Sequence, residues 1–257
     1  MVPPAGDPAD LRLVFSSEFN GEALDSLQWG FDTHRNALGW YNEERQYYGP
    51  DNAEVRNGTL RITARADAPR DAADYGGQLY SSARLHTKER FAFRYGRAEA
   101  RIKLPCGRGL WPAFWMLPEG DPRWPEGGEI DIMEWVGHQP DIFHATVHTA
   151  SSNHMAGTEN GAKRRVPDAC GAWHTHRLDW SADRITVSVD GQPYFTYRNP
   201  ETGEADWPFD REFHLLLNMA VGGSWGGREG VDPDAFPATM EVDYVRVWQA
   251  VPASGAG

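Results

Sequence analysis

The chain has 257 residues, a formal net charge of −12 and no Lys/Arg cluster on a periodic segment. That balance argues against nucleic acid or an anionic membrane as partner, since both need positive potential, while leaving a neutral substrate unaffected. No apolar run approaches the ~20 residues of a membrane helix, and Met1–Asp10 lacks the basic start and apolar core of a signal peptide.

Leu11 to Phe15 reads as a short strand, followed by the polar turn Ser17-Glu18-Phe19-Asn20-Gly21. Trp40 to Tyr48 is aromatic and polar without a period, as in a loop that carries function. Asn57-Gly58 is a turn dipeptide ahead of Thr59 to Ala66, where Leu60, Ile62 and Ala64 alternate with polar residues. Strands are expected at Leu79 to Thr87, at Ala98 to Leu104 and at Leu110 to Leu117. In the second of these, Ala98, Ala100, Ile102 and Leu104 face a core and Glu99, Arg101 and Lys103 face out.

After the acid-rich stretch considered below, further strands are expected at Phe143 to His148, Trp173 to Trp180, Arg184 to Val189, Pro193 to Tyr197, Glu212 to Val221 and Glu241 to Trp248. Asp190-Gly191 between two alternating runs is a strong hairpin signal. Asp234 to Phe236 is read as one helical turn, and residues 1–10 and 250–257 as loosely ordered ends. About a dozen short strands with almost no helix indicate an all-β sandwich of two antiparallel sheets forming one domain, with a concave face for a polymer.

Gly128-Glu129-Ile130-Asp131-Ile132-Met133-Glu134-Trp135 puts three carboxylates into a stretch that otherwise reads as a strand. Side chains alternate along a strand, so Glu129 and Asp131 share a face and Glu134 falls out of phase. A one-residue bulge near Ile132-Met133 returns Glu134 to the face of the other two. The two glutamates then stand about four strand steps, roughly 13 Å, apart at Cα, and leaning side chains bring the carboxylates to ~5–6 Å, the spacing of a retaining glycosidase pair. The same acids could instead blunt a solvated edge strand or hold a divalent cation.

Cys106 and Cys170 fit neither a metal nor a redox spacing. They are read as one bridge or as two free thiols, with turn-like surroundings favouring the bridge. Eleven Trp is a high count, and exposed indole faces suit the apolar faces of sugar rings.

The acid strand and its neighbours resemble glycoside hydrolase family 16, and within it the laminarinase-like endo-β-1,3-glucanases. The resemblance covers nearly the whole chain. It includes Phe15 to Gly21, Trp40 to Tyr48, Tyr80 to Leu85, Tyr95 to Pro105, Trp111 to Leu117, Gly128 to Gly137, His144 to His148, Leu217 to Gly223 and Val242 to Trp248. The six-residue form E-x-D-x-x-E, with Met133 as the extra residue, is similar to that of laminarinases, whereas the family's lichenases carry E-x-D-x-E.

The resemblance implies a β-jelly roll with a substrate cleft, and endo-acting, retaining hydrolysis of β-1,3-glucans such as laminarin and curdlan. Glu129 is then the nucleophile, Glu134 the general acid/base and Asp131 the residue between them. Asn42, Arg84, Trp111, Trp115, His148 and Trp225 match substrate-binding positions, whereas Trp29, Trp180 and Trp248 are assigned to the core. Glu18, Gly58 and Asp243 match a structural calcium site, and two carboxylates with a glycine carbonyl suit that cation; no cofactor is needed for catalysis. A secreted monomer is expected. Arg45 and Tyr41 depart from common family residues, which points to altered preference at the far end of the cleft. Trp135 stands in place of a frequent Tyr.

Cleavage of mixed-linkage β-1,3-1,4-glucan is the nearest alternative, and transglycosylation is a further outcome on the same intermediate. A non-catalytic glucan-binding lectin is the alternative from another class, one that has no use for a paired acid and nucleophile.

Overall fold

The computed structural model describes residues 11–250; of the loosely ordered ends expected at 1–10 and 250–257, Ala250 instead closes a strand, and the rest lie outside the described residues. Two sheets enclose one apolar core. The outer sheet runs in the order β15 (Gln192–Arg198), β14 (Arg184–Val189), β13 (Trp173–Trp180), β8 (Gly96–Lys103), β17 (Ala238–Ala250), β5 (Thr59–Ala64) and β4 (Ala53–Arg56), with β1 (Leu11–Ser17) also paired to β17. The cleft sheet runs β12 (Asn160–Arg165), β11 (Ile142–His148), β10 (Glu129–Glu134), β9 (Leu110–Pro118), β16 (Phe213–Val221), β7 (Arg84–His86) and β2 (Gly30–Phe31). A small parallel pair, β3 (Gln46–Tyr48) and β6 (Tyr80–Ser82), stands beside them.

Alternation in the sequence decides which residues enter the core. Leu60, Ile62 and Ala64 of β5 and Ala98, Ala100 and Ile102 of β8 are buried. The opposite face of β8 carries charge that is matched across the ladder, with Arg101 on Asp243 at 2.7 Å and Lys103 on Glu241 at 3.3 Å. β16 is buried over its whole length. Phe213, Leu215, Leu217, Met219 and Val221 join the core, while His214, Leu216, Asn218 and Ala220 line the cleft. This double burial explains a strand that reads as nearly continuous hydrophobic sequence.

The hairpin at Asp190-Gly191 forms as expected, with φ values of 48° and 74°, the left-handed pair that a two-residue turn requires. The helical turn lies at Pro233–Ala235, one residue earlier than expected, where the Asp232 side chain accepts from the Asp234 N–H. The single strand expected over Leu79 to Thr87 breaks at Ala83, and its halves pair with different partners: β6 with β3, and β7 with β16 and β2. Trp29 and Trp180 are core residues, but Trp248 is only half-buried, on a residue whose strand neighbours are Leu13 of β1 and Arg97 of β8.

Cys106 and Cys170 are joined in a disulfide, with Cα atoms 5.2 Å apart. They lie just beyond the end of β8 and just before β13, which are neighbours in the outer sheet.

Candidate active site

β10 carries the acids and is irregular where the sequence required it. Against β9, Asp131 faces Trp115 and Met133 faces Phe114, so one residue of β9 is passed for two of β10. Against β11, Glu129 faces His148, Asp131 faces Thr146 and Glu134 faces His144. Five steps on β10 thus match four on β11. The residue skipped in the β9 ladder is Ile132 rather than Met133, and both turn into the core with no exposure. All three acids therefore share one face, and all three line a cleft of about 890 Å3 across the sheet.

Each glutamate is held by an indole. Trp124 Nε1 donates to Glu129 Oε2 at 2.8 Å, and Trp111 Nε1 donates to Glu134 Oε1 at 3.0 Å. His148 lies beside the other end of the triad, its Nε2 3.3 Å from Asp131 Oδ2 and 3.8 Å from Glu129 Oε1. Asp131 is 3% exposed, and its Oδ2 has no hydrogen-bond partner.

Three carboxyls in one desolvated place resist ionisation. Burial first, and then the charge of Asp131, pushes the Glu129 carboxyl up to about 8, against the pull of His148 and of the Trp124 hydrogen bond. Burial pushes Asp131 up to about 7, with a hydrogen bond to Glu129 opposing it. Glu134 is raised well above its ordinary value, by burial and by the nearby Asp131, against His148 and the Trp111 N–H.

The remaining candidates separate by place. Asn42, Arg84, Trp111 and Trp115 line the cleft. Arg84 pairs with Asp32 at 2.9 Å and lies over the rings of Trp115 and Trp40, 4.7 and 5.3 Å from their centroids. The Trp115 N–H donates to Asn218 Oδ1 at 2.8 Å. Asn42 holds a left-handed backbone with φ of 55°, and its carbonyl accepts from the Ser224 N–H at 2.7 Å, which ties the Trp40 loop to the loop after β16. Trp225 meets Trp111 edge-on at 5.2 Å and His144 at 4.9 Å. His148, 7% exposed at its side chain, supports the acids from β11 instead of forming open cleft wall.

Sequence reasoning missed Trp124, Asp32, Glu44 and His154, all of which line the cleft. Trp124 sits in a Pro-rich loop, and a large indole in a loop adjacent to the acid strand was the one available signal. Glu44 accepts from Gln46 Nε2 at 2.8 Å, and burial raises its carboxyl above the ordinary value. His154 packs on Trp124 at 5.0 Å and on His148 at 5.1 Å.

The expected calcium residues meet only in part. β17 changes partner from β5 to β1 between Val242 and Val245, so Asp243, Glu18 after β1 and Gly58 before β5 come to one point of the outer sheet. Asp243 is the extra residue of a bulge against β8. The two-carboxylate donor set is not assembled, however: both oxygens of Glu18 are clamped by Arg246 at 2.7 Å, and Asp243 accepts from Arg101 at 2.7 Å. Two arginines already supply the charge that a cation would bring.

A β-sandwich with two half-buried glutamates on one wall of an open cleft, flanked by indole rings and polar side chains, has the layout of a two-carboxylate glycoside hydrolase. Residues 41–246 match the family of glycosyl hydrolases, family 16, and the chain belongs to that family. The beta-glucanase of Rhodothermus marinus is 46% identical over 253 residues, spanning 93% of this chain and 86% of its own. The crystal structure of SCLam, a non-specific endo-β-1,3(4)-glucanase from the same family, agrees with a TM-score of 0.92 at 47% identity, covering 97% of this chain and 95% of that one. The laminarinase structure from Rhodothermus marinus gives a TM-score of 0.87 at 45% identity, over 94% and 98% of the two chains.

Proposed function

We propose that the protein is an endo-acting, retaining glycoside hydrolase that cleaves β-1,3-glucosidic bonds in β-1,3-glucans such as laminarin and curdlan. The observation that carries this reading is the bulge in β10, which aligns Glu129, Asp131 and Glu134 on the cleft wall. Family membership supports the same chemistry.

Glu129 as carboxylate attacks the anomeric carbon while Glu134, protonated, gives its proton to the leaving oxygen. The C–O bond of the polymer breaks and a glycosyl ester on Glu129 forms. Esterification removes the negative charge that opposed ionisation of Glu134. Glu134 then takes a proton from water, the water oxygen attacks the anomeric carbon, and the ester breaks with the original configuration restored. The raised carboxyl of Glu134 suits it to begin as the acid. Glu129 and Asp131 share the proton that their neighbourhood holds back, and the Trp124 N–H on Glu129 favours placing the remaining negative charge there. Asp131 is a positioning residue. Asn42, Arg84, Trp111, Trp115 and Trp225 bind successive sugars, the indoles through apolar ring faces, and His148 steadies the acid row.

Glu129→Ala and Glu134→Ala, each shown to be folded, test the assignment with laminarin. Both should lose turnover of laminarin. On an aryl β-1,3-oligoglucoside, whose leaving group needs no proton, azide should give the β-glycosyl azide with Glu134→Ala, by attack on the ester, and the α-glycosyl azide with Glu129→Ala, by direct attack from the vacated face. Wild-type hydrolysis by either variant overturns the roles.

Mixed-linkage β-1,3-1,4-glucan is a second reading, favoured by the resemblance to the non-specific SCLam. Reducing ends released from laminarin, curdlan and barley glucan separate the two. The Cys106–Cys170 bridge supports secretion, because disulfides persist in oxidising compartments, and a cleft built wholly within one chain supports action as a monomer. Catalysis needs no cofactor in this scheme. A structural calcium would use the Asp243 carboxylate after displacing Arg101, with Gly58 and Glu18 contributing main-chain oxygens, since the Glu18 side chain is occupied by Arg246. Melting with and without a chelator tests it, and an unchanged Tm would remove the site.

A further inference from the structure

Asp131 Oδ2 is buried without a hydrogen-bond partner, and what it faces is His148 Nε2, 3.3 Å away. Glu129 presents its second oxygen to the same nitrogen. Its Oε2 is taken by the Trp124 indole, which leaves Oε1 turned to His148 Nε2 at 3.8 Å. One donor atom from each of the three residues lies within 4.8 Å of the others.

We propose that Glu129, Asp131 and His148 form a binding site for a borderline transition-metal ion of the Zn2+ class, and that its occupation switches the enzyme off. With metal–ligand bonds of about 2.0–2.2 Å, neighbouring donors on a tetrahedral ion stand roughly 3.3–3.6 Å apart. The two distances from His148 lie at and just above that range, so small side-chain movements complete the set. Two carboxylates balance a divalent charge, and the imidazole nitrogen selects Zn2+, Co2+ or Cu2+ over hard cations. Ca2+ and Mg2+ are disfavoured because they want six or more oxygens or an octahedral shell, and three donors from two buried strands do not supply them.

The fourth position faces the cleft, where water or a sugar hydroxyl can enter. The scaffold is pre-set: β10 and β11 hold Glu129 opposite His148 in register, and His154 and Trp124 pack against the imidazole, 5.1 and 5.9 Å away. An ion here takes the electron pair that Glu129 needs for attack. Binding itself does not depend on the glucanase reading, but the inhibition rests on it.

The two parts are therefore read separately. Co2+ is titrated into the wild-type protein without substrate, and the visible absorption of four-coordinate cobalt, abolished by Zn2+ competition, is expected at one ion per chain. His148→Asn should weaken that binding by at least about 10–100-fold, the cost of losing even an outer partner of a metal ligand. His148→Gln serves if the first variant does not fold, as judged by its melting curve. Zn2+ should inhibit laminarin hydrolysis competitively and reversibly on chelation, while Ca2+ and Mg2+ at equal concentration should not. Absence of the cobalt spectrum, or an affinity that His148 substitution leaves unchanged, overturns the site. A spectrum without inhibition overturns the switch and counts against Glu129 as the nucleophile.

Discussion

Trp124 reaches Glu129 from a loop outside the sheet, donating its indole N–H to Oε2 at 2.8 Å. A hydrogen bond to a charged acceptor is worth about 1.5–3 kcal/mol. Trp124→Phe keeps a ring in place but removes the donor, so kcat/KM on laminarin should fall by roughly 10–100-fold. Far-UV spectra and Tm should stay near wild type, which steady-state kinetics beside a melting curve will check.

The corresponding bond from Trp111 to Glu134 acts on the acid. It favours the ionised form, so its removal in Trp111→Phe raises the Glu134 carboxyl further above its ordinary value. Activity is lost as pH rises through that value and the acid deprotonates. The alkaline limb of the kcat/KM profile should therefore move to higher pH in Trp111→Phe, and a limb that moves down or stays in place contradicts the assignment.

The same burial makes stability depend on pH. Asp131 moves from 3.8 to about 7 on folding and Glu129 from 4.5 to about 8. A carboxyl with a raised folded value stabilises the fold fully below its unfolded value and loses that contribution as pH rises through the folded one. From about pH 4 to about pH 8 the Tm should fall, most steeply near about 5 to 7, where the folded carboxyls keep protons that the unfolded ones have lost, and level off above that. Asp131→Asn removes one of the coupled charges, so its melting temperature should change less over the same interval.

Cys106 and Cys170 close a loop with a sequence separation of 64. Chain-entropy arguments put the stabilisation at about 4 kcal/mol. Cys106→Ser together with Cys170→Ser should lower the denaturant midpoint by an equivalent amount, without a change in kcat when assayed well below the new Tm.

Much of the architecture could be read from alternation alone. β13 and β14 fall where they were expected, and β5 and β8 bury the residues that their period assigns. β12 escaped because Asn160-Gly161-Ala162-Lys163-Arg164-Arg165 has no apolar period; as the edge of its sheet it has little to bury. β4 escaped because only Val55 faces inward to full burial. Trp248 shows the limit of residue type: it alternates correctly, but on a face left partly open. In the site, the acid row was legible because carboxylates on a strand need a reason. Trp124 and Asp32 were not, because a loop has no period and their contacts are made to residues distant in the chain or on other elements. The calcium residues were brought to one place, but their pairing with Arg101 and Arg246 depends on cross-strand neighbours that no local pattern reveals.

β9 through β12, four consecutive strands, leave the outer sheet where β8 ends and return where β13 begins, and those two strands lie side by side. The cystine closes that gap. The acid row thus rides on a cassette that enters and exits through a single clasped doorway, so an exchange of residues 107–169 between relatives should transplant that row while the supporting wall stays behind.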